Sequence, residues 1–274
     1  MLELFHAAPS YYSMVARLAL AEAGIPSISR LLDIHIAKQQ LSPAYRRLNP
    51  NMTVPTLRGP DLLLTDSAQI LAYAAAHAVS PWADADPARQ TGIADAVAGH
   101  YAISIETLTF SKLLASQPWF KTVLVRMISG INRSLERDER RFPDQVPMLR
   151  AKQEQNRKRL AVFRDRPAPE VLSEQRAEVE AYLAGLPPIV AGGWLFGSRI
   201  SSADVVVAVL CSRLAMAGEL PLLQRPDLQA WWQRVQQRPA FSQADLWTRF
   251  RRRRFLQALL EARRTPINPE VSVA

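Results

Sequence analysis

The sequence predicts an α/β domain at about residues 1–80 followed by an all-α domain at about 87–274. Two observations carry this reading: strand-like and helix-like stretches alternate over the first part, and strand signals nearly vanish beyond Pro87. Residues 2–5 alternate about a small apolar core, and residues 27–32, rich in Ile and Leu, are a second short strand. Between them Met14, Val15, Leu18, Ala19 and Ala23 recur at three- and four-residue spacing, a helix over 13–23 that stops at Gly24 before Pro26. Such a crossover normally makes its two strands parallel. Val54-Pro55-Thr56-Leu57 and the apolar run at 62–64, joined by the turn Gly59-Pro60-Asp61, form a hairpin. Asp66-Ser67 then heads a helix through Ile70, Leu71, Tyr73, Ala74 and Ala75, with a side-chain oxygen at its N-terminus. The order is βαβ followed by ββα.

Composition and period both shift near residues 81–87, where a linker is expected. Beyond it, residues 91–115 read as one long amphipathic helix and 120–140 as another with a basic outer face. Residues 152–164 and 173–184 give two more, parted by the prolines at 167 and 169. Ser201-Ser202-Ala203-Asp204 opens the apolar run 205–217 as a capping box, Ser201 accepting from the Asp204 N–H while the Asp204 carboxylate reaches back. Residues 226–237 and 243–264 complete the helical part.

At 274 residues with 48% hydrophobic and 22% charged residues, the chain is long and apolar enough for two packed domains. No stretch nears the roughly 18 apolar residues of a membrane span, and the start lacks a signal peptide's basic and apolar regions. Cys211 is the one cysteine, which excludes an intramolecular disulfide or a cysteine metal cluster and fits a reducing, cytoplasmic setting. The net charge of +9 is uneven: residues 1–85 hold six basic and six acidic residues, 120–166 hold 13 against 6, and 245–274 hold 7 against 3. The excess belongs to helical surfaces downstream.

The βαβ–ββα unit with Val54-Pro55 entering its third strand, Asp66-Ser67 heading a helix eleven residues later, and the Ile200-to-Asp204 box opening a buried helix together resemble the glutathione transferase superfamily over nearly the whole chain. The segment Pro9-Ser10-Tyr11-Tyr12-Ser13-Met14-Val15-Ala16-Arg17-Leu18 is similar to the active-site segment of its zeta-like bacterial branch, which includes tetrachlorohydroquinone-type reductive dehalogenases. The insert at about 115–170 and Arg225-Pro-Asp-Leu with Trp231-Trp232 resemble that branch too. One departure stands out: Tyr12 occupies the place of those dehalogenases' reactive cysteine. The resemblance implies a thioredoxin-like N-terminal domain, an all-helical C-terminal domain, a homodimer and glutathione as co-substrate.

It also implies roles. A cis Pro55 aims the Val54 backbone at the cysteinyl unit of glutathione as an added strand would, with Thr53 beside it. Asp66 and Ser67 at a helix N-terminus suit the γ-glutamyl group, and Lys38 or Gln39 the glycyl carboxylate. A hydroxyl at the thiol sulfur lowers its pKa and raises the thiolate fraction. Ser10 is the first choice by position, with Tyr11, Tyr12 and Ser13 competing, and a helix cap the structural alternative for either serine. Tyr101, Ile105, Leu108 and Phe110 on the 91–115 helix are candidates to line an apolar or aromatic electrophile's pocket. The implied activity is detoxifying attack of glutathione thiolate on a small electrophile, by conjugation or thiolytic displacement. A glutathione-dependent isomerase, or a scaffold that has lost the chemistry, are the alternatives.

Other chemistries lack support. His6, His35, His77 and His100 show no paired metal-ligand spacing, so no metal is expected, and no phosphate or dinucleotide loop occurs. Cys211 inside an apolar run reads as a buried hydrophobe. The run Arg251–Arg254 wraps round a helix, so the four cannot share one face. Pairing with acidic neighbours is the plain reading, a membrane surface the alternative through Phe250, Phe255, Leu256, Leu259 and Leu260. Nucleic acid is not expected as a partner.

Overall fold

The computed structural model describes residues 1–267; the last residues of the predicted 87–274 part, 268–274, lie outside the described residues. Four strands form one sheet in the order β2-β1-β3-β4: β1 (Glu3–His6), β2 (Ile28–Leu31), β3 (Thr56–Gly59) and β4 (Leu62–Leu64). β1 runs parallel to β2 and antiparallel to β3, which turns back on β4, as the crossover and the hairpin signals require. α1 (Tyr11–Glu22) is the crossover helix, α2 (Pro43–Leu48) follows β2, and α3 (Ser67–Ala76) follows β4. Phe5, Ala7, Leu32, Tyr45, Leu48 and Val54 form an apolar cluster at the end of the sheet where β1 leads into α1.

The rest is helical: α4 (Pro87–Ala102), α5 (Ile105–Ser116), α6 (Phe120–Arg141), α7 (Val146–Asp165), α8 (Ala168–Gly185), α9 (Ser202–Ala217), α10 (Pro226–Gln236), α11 (Pro239–Gln243) and α12 (Arg252–Arg264). The chain packs as two compact units, residues 1–102 with those from 182 onward, and residues 103–181. In the first, α9 is buried along nearly its whole length. Its capping box is complete: Ser201 Oγ accepts the Asp204 N–H (3.4 Å), and Asp204 Oδ2 accepts the Ser201 N–H (2.9 Å) and hydroxyl (2.7 Å). Asp204 Oδ1 also takes the Leu195 N–H and the Trp231 indole N–H, both at 3.0 Å. In the second unit α6 and α7 bury Leu124, Ile128, Leu160 and Phe163, with Asn156 Nδ2 donating to Asn132 Oδ1 (2.8 Å) in their shared interior.

Two expectations are corrected. The single helix over 91–115 is two, because Ser104 leaves helical geometry (φ −82°, ψ 78°); its hydroxyl pairs with that of Thr107 (2.7 Å), and its carbonyl starts α5 by accepting the Leu108 N–H (3.1 Å). The helix over 243–264 begins only at Arg252. Before it Asp245 takes a left-handed backbone (φ 47°), and the Ala244, Asp245 and Trp247 carbonyls accept from Arg17 and from Ser212. In the stretch 81–87, where the linker is expected, Trp82 is buried, Ala83 N–H donates to the Ile200 carbonyl (2.8 Å), and Asp84 Oδ2 accepts the Ser202 N–H (2.9 Å).

Candidate functional site

α1 starts at Tyr11, two residues before the sequence suggested, so Ser10 is its N-cap and its Oγ accepts the Ser13 N–H (3.4 Å). Ser10 is half-buried, whereas Ser13 is fully buried and its Oγ accepts the Ala7 N–H (3.3 Å). The Tyr11 ring is buried, stacks on His100 (5.6 Å) and places its hydroxyl 3.3 Å from His100 Nε2. Burial pushes the Tyr11 phenol pKa well up and the His100 imidazole pKa down to about 3, so both stay neutral near pH 7. Tyr12, half-buried, meets Tyr11 edge-on and stacks on Tyr101 (6.0 Å).

Two arginines fix the chain ahead of Ser10. Arg17 donates to the Ala7 (3.2 Å) and Ala8 (3.0 Å) carbonyls and to His6 Nδ1 (3.1 Å), which leaves His6 Nε2 to donate to Ser29 Oγ (2.7 Å). Burial lowers the Arg17 pKa to about 10, so it stays charged. Arg213 on α9 donates to the Pro9 carbonyl (2.9 Å) and stands over the Tyr11 ring (5.5 Å).

The Val54–Pro55 bond is cis, and Pro55 is followed at once by β3. Phe5 pairs with Thr56, so the start of β3 adjoins the end of β1 that leads to Ser10. Asn49, fully buried, donates through Nδ2 to the Thr53 carbonyl (3.0 Å), Thr56 Oγ1 (2.9 Å) and the Thr65 carbonyl (2.9 Å). One side chain thus ties the Val54–Pro55 loop to Thr65, the residue before the α3 cap Asp66. The Tyr45 hydroxyl also donates to Thr53 (2.8 Å) and is bonded to Thr56 Oγ1 (2.8 Å). Asp66 caps α3 by accepting the Gln69 N–H (2.8 Å), leaving its other oxygen without a bond to a helix amide. Ser67, its first residue, is buried with its Oγ 2.9 Å from the Tyr101 hydroxyl. The stack Tyr12–Tyr101 and the Tyr101–Ser67 bond therefore link the start of α1 to the start of α3.

Two family models match the chain: the glutathione S-transferase N-terminal domain over residues 4–82 and the glutathione S-transferase C-terminal domain over 141–239, together more than half of it. The chain belongs to the glutathione S-transferase family. This member is similar to the tetrachloro-p-hydroquinone reductive dehalogenase of Sphingobium chlorophenolicum, 27% identical over 256 residues that cover 88% of this chain and 94% of the relative. Human glutathione S-transferase T1-1 in its apo form superposes with a TM-score of 0.60 at 22% identity, covering 99% of this chain and 95% of that one. A beta-etherase from Sphingobium sp. does so with 0.58 at 20% identity, covering 89% and 98%. The fold class read from sequence stands: a thioredoxin-like sheet domain and an all-helical C-terminal part, in an enzyme of the glutathione transferase type whose family uses glutathione as co-substrate.

Lys38 sits in a left-handed conformation (φ 54°), its Nζ near the Ile34 carbonyl (3.3 Å), in a loop folded round Asp33, whose carboxylate accepts the His35, Ile36 and Ala37 N–H groups. Burial opposes ionisation of Asp33, but those three bonds prevail and hold its pKa below the usual value. Gln39 uses both ends of its amide, accepting the Asp33 N–H (2.6 Å) and donating to the Ala262 carbonyl of α12 (3.2 Å). Of the electrophile-side residues, Tyr101 belongs to the first unit and Ile105, Leu108 and Phe110 to the second. There Ile105 and Leu108 are buried and Phe110 meets Phe163 edge-on (5.6 Å). Among the described residues no group of three or more His, Cys, Asp or Glu side chains could hold a metal ion.

Cys211 is fully buried in α9, and burial raises its thiol pKa to about 12. A native sample is expected to show no thiol reactive to an aromatic disulfide reagent, and one after denaturation; labelling of the native protein would contradict this burial. The sequence reading missed Asn49, Arg213 and the positioning role of Arg17. Asn49 alone left a trace, a polar residue at a helix end before Pro50, where such a residue is usually a plain cap.

Proposed function

We propose that the protein activates the glutathione thiol as thiolate, with Ser10 as the donor to sulfur, for conjugation to or displacement from a small apolar or aromatic electrophile. In this reading Val54 pairs with the cysteinyl backbone, Asp66 and Ser67 take the γ-glutamyl ammonium and carboxylate, and Lys38 takes the glycyl carboxylate. Gln39, whose amide is engaged at both ends, serves to seat α12. Ser10 is preferred over Ser13 and Tyr11 because those two are buried, while Ser10 stands half-exposed at the positive end of α1 and, accepting the Ser13 N–H through its Oγ, keeps its own O–H to donate. Reductive dehalogenation by a cysteine mixed-disulfide route is disfavoured, because Tyr12 stands where the dehalogenases that the segment resembles carry a reactive cysteine. A cytoplasmic homodimer with a detoxifying role is part of the same proposal.

The observation that carries the reading is the Ser67–Tyr101 hydroxyl pair at the first residue of α3. Two hydroxyls 2.9 Å apart at a helix N-terminus become a two-donor clamp when a carboxylate replaces the bond between them and takes both O–H groups. Burial raises the Tyr101 phenol pKa, so it remains a donor near pH 7. In this reading Tyr101 serves the glutathione side rather than the electrophile side.

Calorimetry at pH 7 tests this. Wild-type protein is expected to bind glutathione at millimolar affinity or tighter, with Ser67→Ala and Tyr101→Phe each weakening it about tenfold, the scale of a charge-assisted hydrogen bond. Absence of wild-type binding would favour the scaffold reading. Unchanged affinity in Tyr101→Phe, beside a weakened Ser67→Ala, would return Tyr101 to the electrophile side.

A further inference from the structure

We propose that the outer face of α12 docks the protein on an anionic phospholipid surface. The structure sorts the arginine run in a way the sequence does not. Arg251 and Arg254 turn inward and both bond Asp245, Arg254 also reaching Glu261 (3.4 Å), and Arg251 lies over the Trp247 ring (5.2 Å). Arg252 and Arg253 are exposed, as are Arg263 and Arg264 at the other end of the helix. None of these four has an acidic partner within ion-pair distance among the described residues, in contrast to Arg251 and Arg254.

Between the two exposed pairs lie Leu256 and Leu260, 59% and 58% exposed, while Ala258, Leu259 and Ala262 fill the inward face. Arg253, Leu256, Leu260 and Arg264 step by three, four and four residues, so they form a single stripe with cations at its ends and leucines at its centre. Phe250, 52% exposed, adds an aromatic ring just ahead of the helix.

That pattern selects its occupant. At a bilayer surface the leucines enter the boundary of headgroups and acyl chains, and the long arginine stems carry their guanidinium groups out to the phosphates. Nucleic acid would set the leucines against phosphate with no apolar surface to receive them. A second copy paired through the same stripe about a two-fold axis would bring arginine to arginine. No helix among the described residues is long and apolar enough to cross a membrane, so the contact lies on the surface. The helix is seated firmly enough to serve: Gln39 holds the Ala262 carbonyl, and Phe255 packs edge-on against His35 (5.2 Å).

Co-sedimentation of the whole chain with vesicles tests the inference, using phosphatidylcholine mixed with phosphatidylglycerol and phosphatidylcholine alone. The wild type is expected to bind the mixed vesicles and leave the neutral ones, with binding falling as salt rises. Replacing Arg252, Arg253, Arg263 and Arg264 by Gln should lower the partition coefficient at least about a hundredfold. Leu256→Ser with Leu260→Ser should lower it about tenfold while leaving retention on duplex DNA unchanged. All six residues are exposed, so both variants should keep the wild-type melting temperature. Failure of the wild type to bind mixed vesicles at low salt overturns the proposal. So does a leucine variant that binds them as well as wild type, since the stripe would then be a site for polyanions in general.

Discussion

Ser10→Ala is expected to lower transferase turnover roughly 10²-fold, the scale of losing one preorganised donor at a developing or stabilised anion. Ser10 also caps α1, so the same change removes a cap worth about 1 kcal/mol. Ser10→Gly separates the two effects, because glycine costs a cap only a few tenths of a kcal/mol yet supplies no hydroxyl. Equal losses of turnover in both variants, with a clear loss of melting temperature only in the alanine variant, identify sulfur donation as the role. Wild-type turnover in either would transfer the role to Tyr12, the half-buried phenol that follows. The loop is held without the Ser10 side chain, by Arg17 at the Ala7 and Ala8 carbonyls and Arg213 at that of Pro9, so neither variant should displace it.

Asp204→Ala is expected to cost about 3–5 kcal/mol and to lower the melting temperature by about 10 °C or more. The carboxylate has no exposed surface to speak of and accepts from Leu195, from Ser201 twice and from the Trp231 indole. Truncation leaves buried donors without acceptors, and each such group costs about 1–3 kcal/mol. The same site gives a pH signature. Burial raises the Asp204 pKa to about 6 from 3.8, against the opposing hydrogen bonds. The folded state therefore holds the proton more tightly than the unfolded state, and this contribution to stability is complete below about pH 4 and lost as pH rises through 6. Asp204→Asn should flatten that part of the stability profile, by a difference on the order of 2–3 kcal/mol between pH 4 and pH 7. A variant whose denaturation profile parallels wild type across this range would show that Asp204 does not titrate there.

Much of the fold was legible because local signals agreed with one another. Pro26 after Gly24 and the Gly59-Pro60-Asp61 turn delimited the strands, and the Ser201–Asp204 box is realised in every bond. What the sequence hid was decided by contacts distant along the chain. Hydrophobic period carries straight through Ser104, where a side-chain bond to Thr107 and a change of ψ divide the helix. It carries equally through residues 244–251, which Arg17, more than two hundred residues earlier, pulls into a left-handed turn at Asp245. The candidate site shows the same division. Ser10, Val54, Pro55 and Ser67 are readable from motif order, whereas Asn49, Arg213 and the Tyr101 hydroxyl acquire meaning only from what they touch.

Activation of the glutathione thiol through Ser10 is tested most simply by the ultraviolet thiolate absorbance of bound glutathione titrated against pH. A midpoint at least one unit below the ordinary thiol value of about 8.5 is expected in the wild type, returning toward that value in Ser10→Ala. Bound glutathione that titrates like the free thiol in the wild type, or equally low in both proteins, would contradict it.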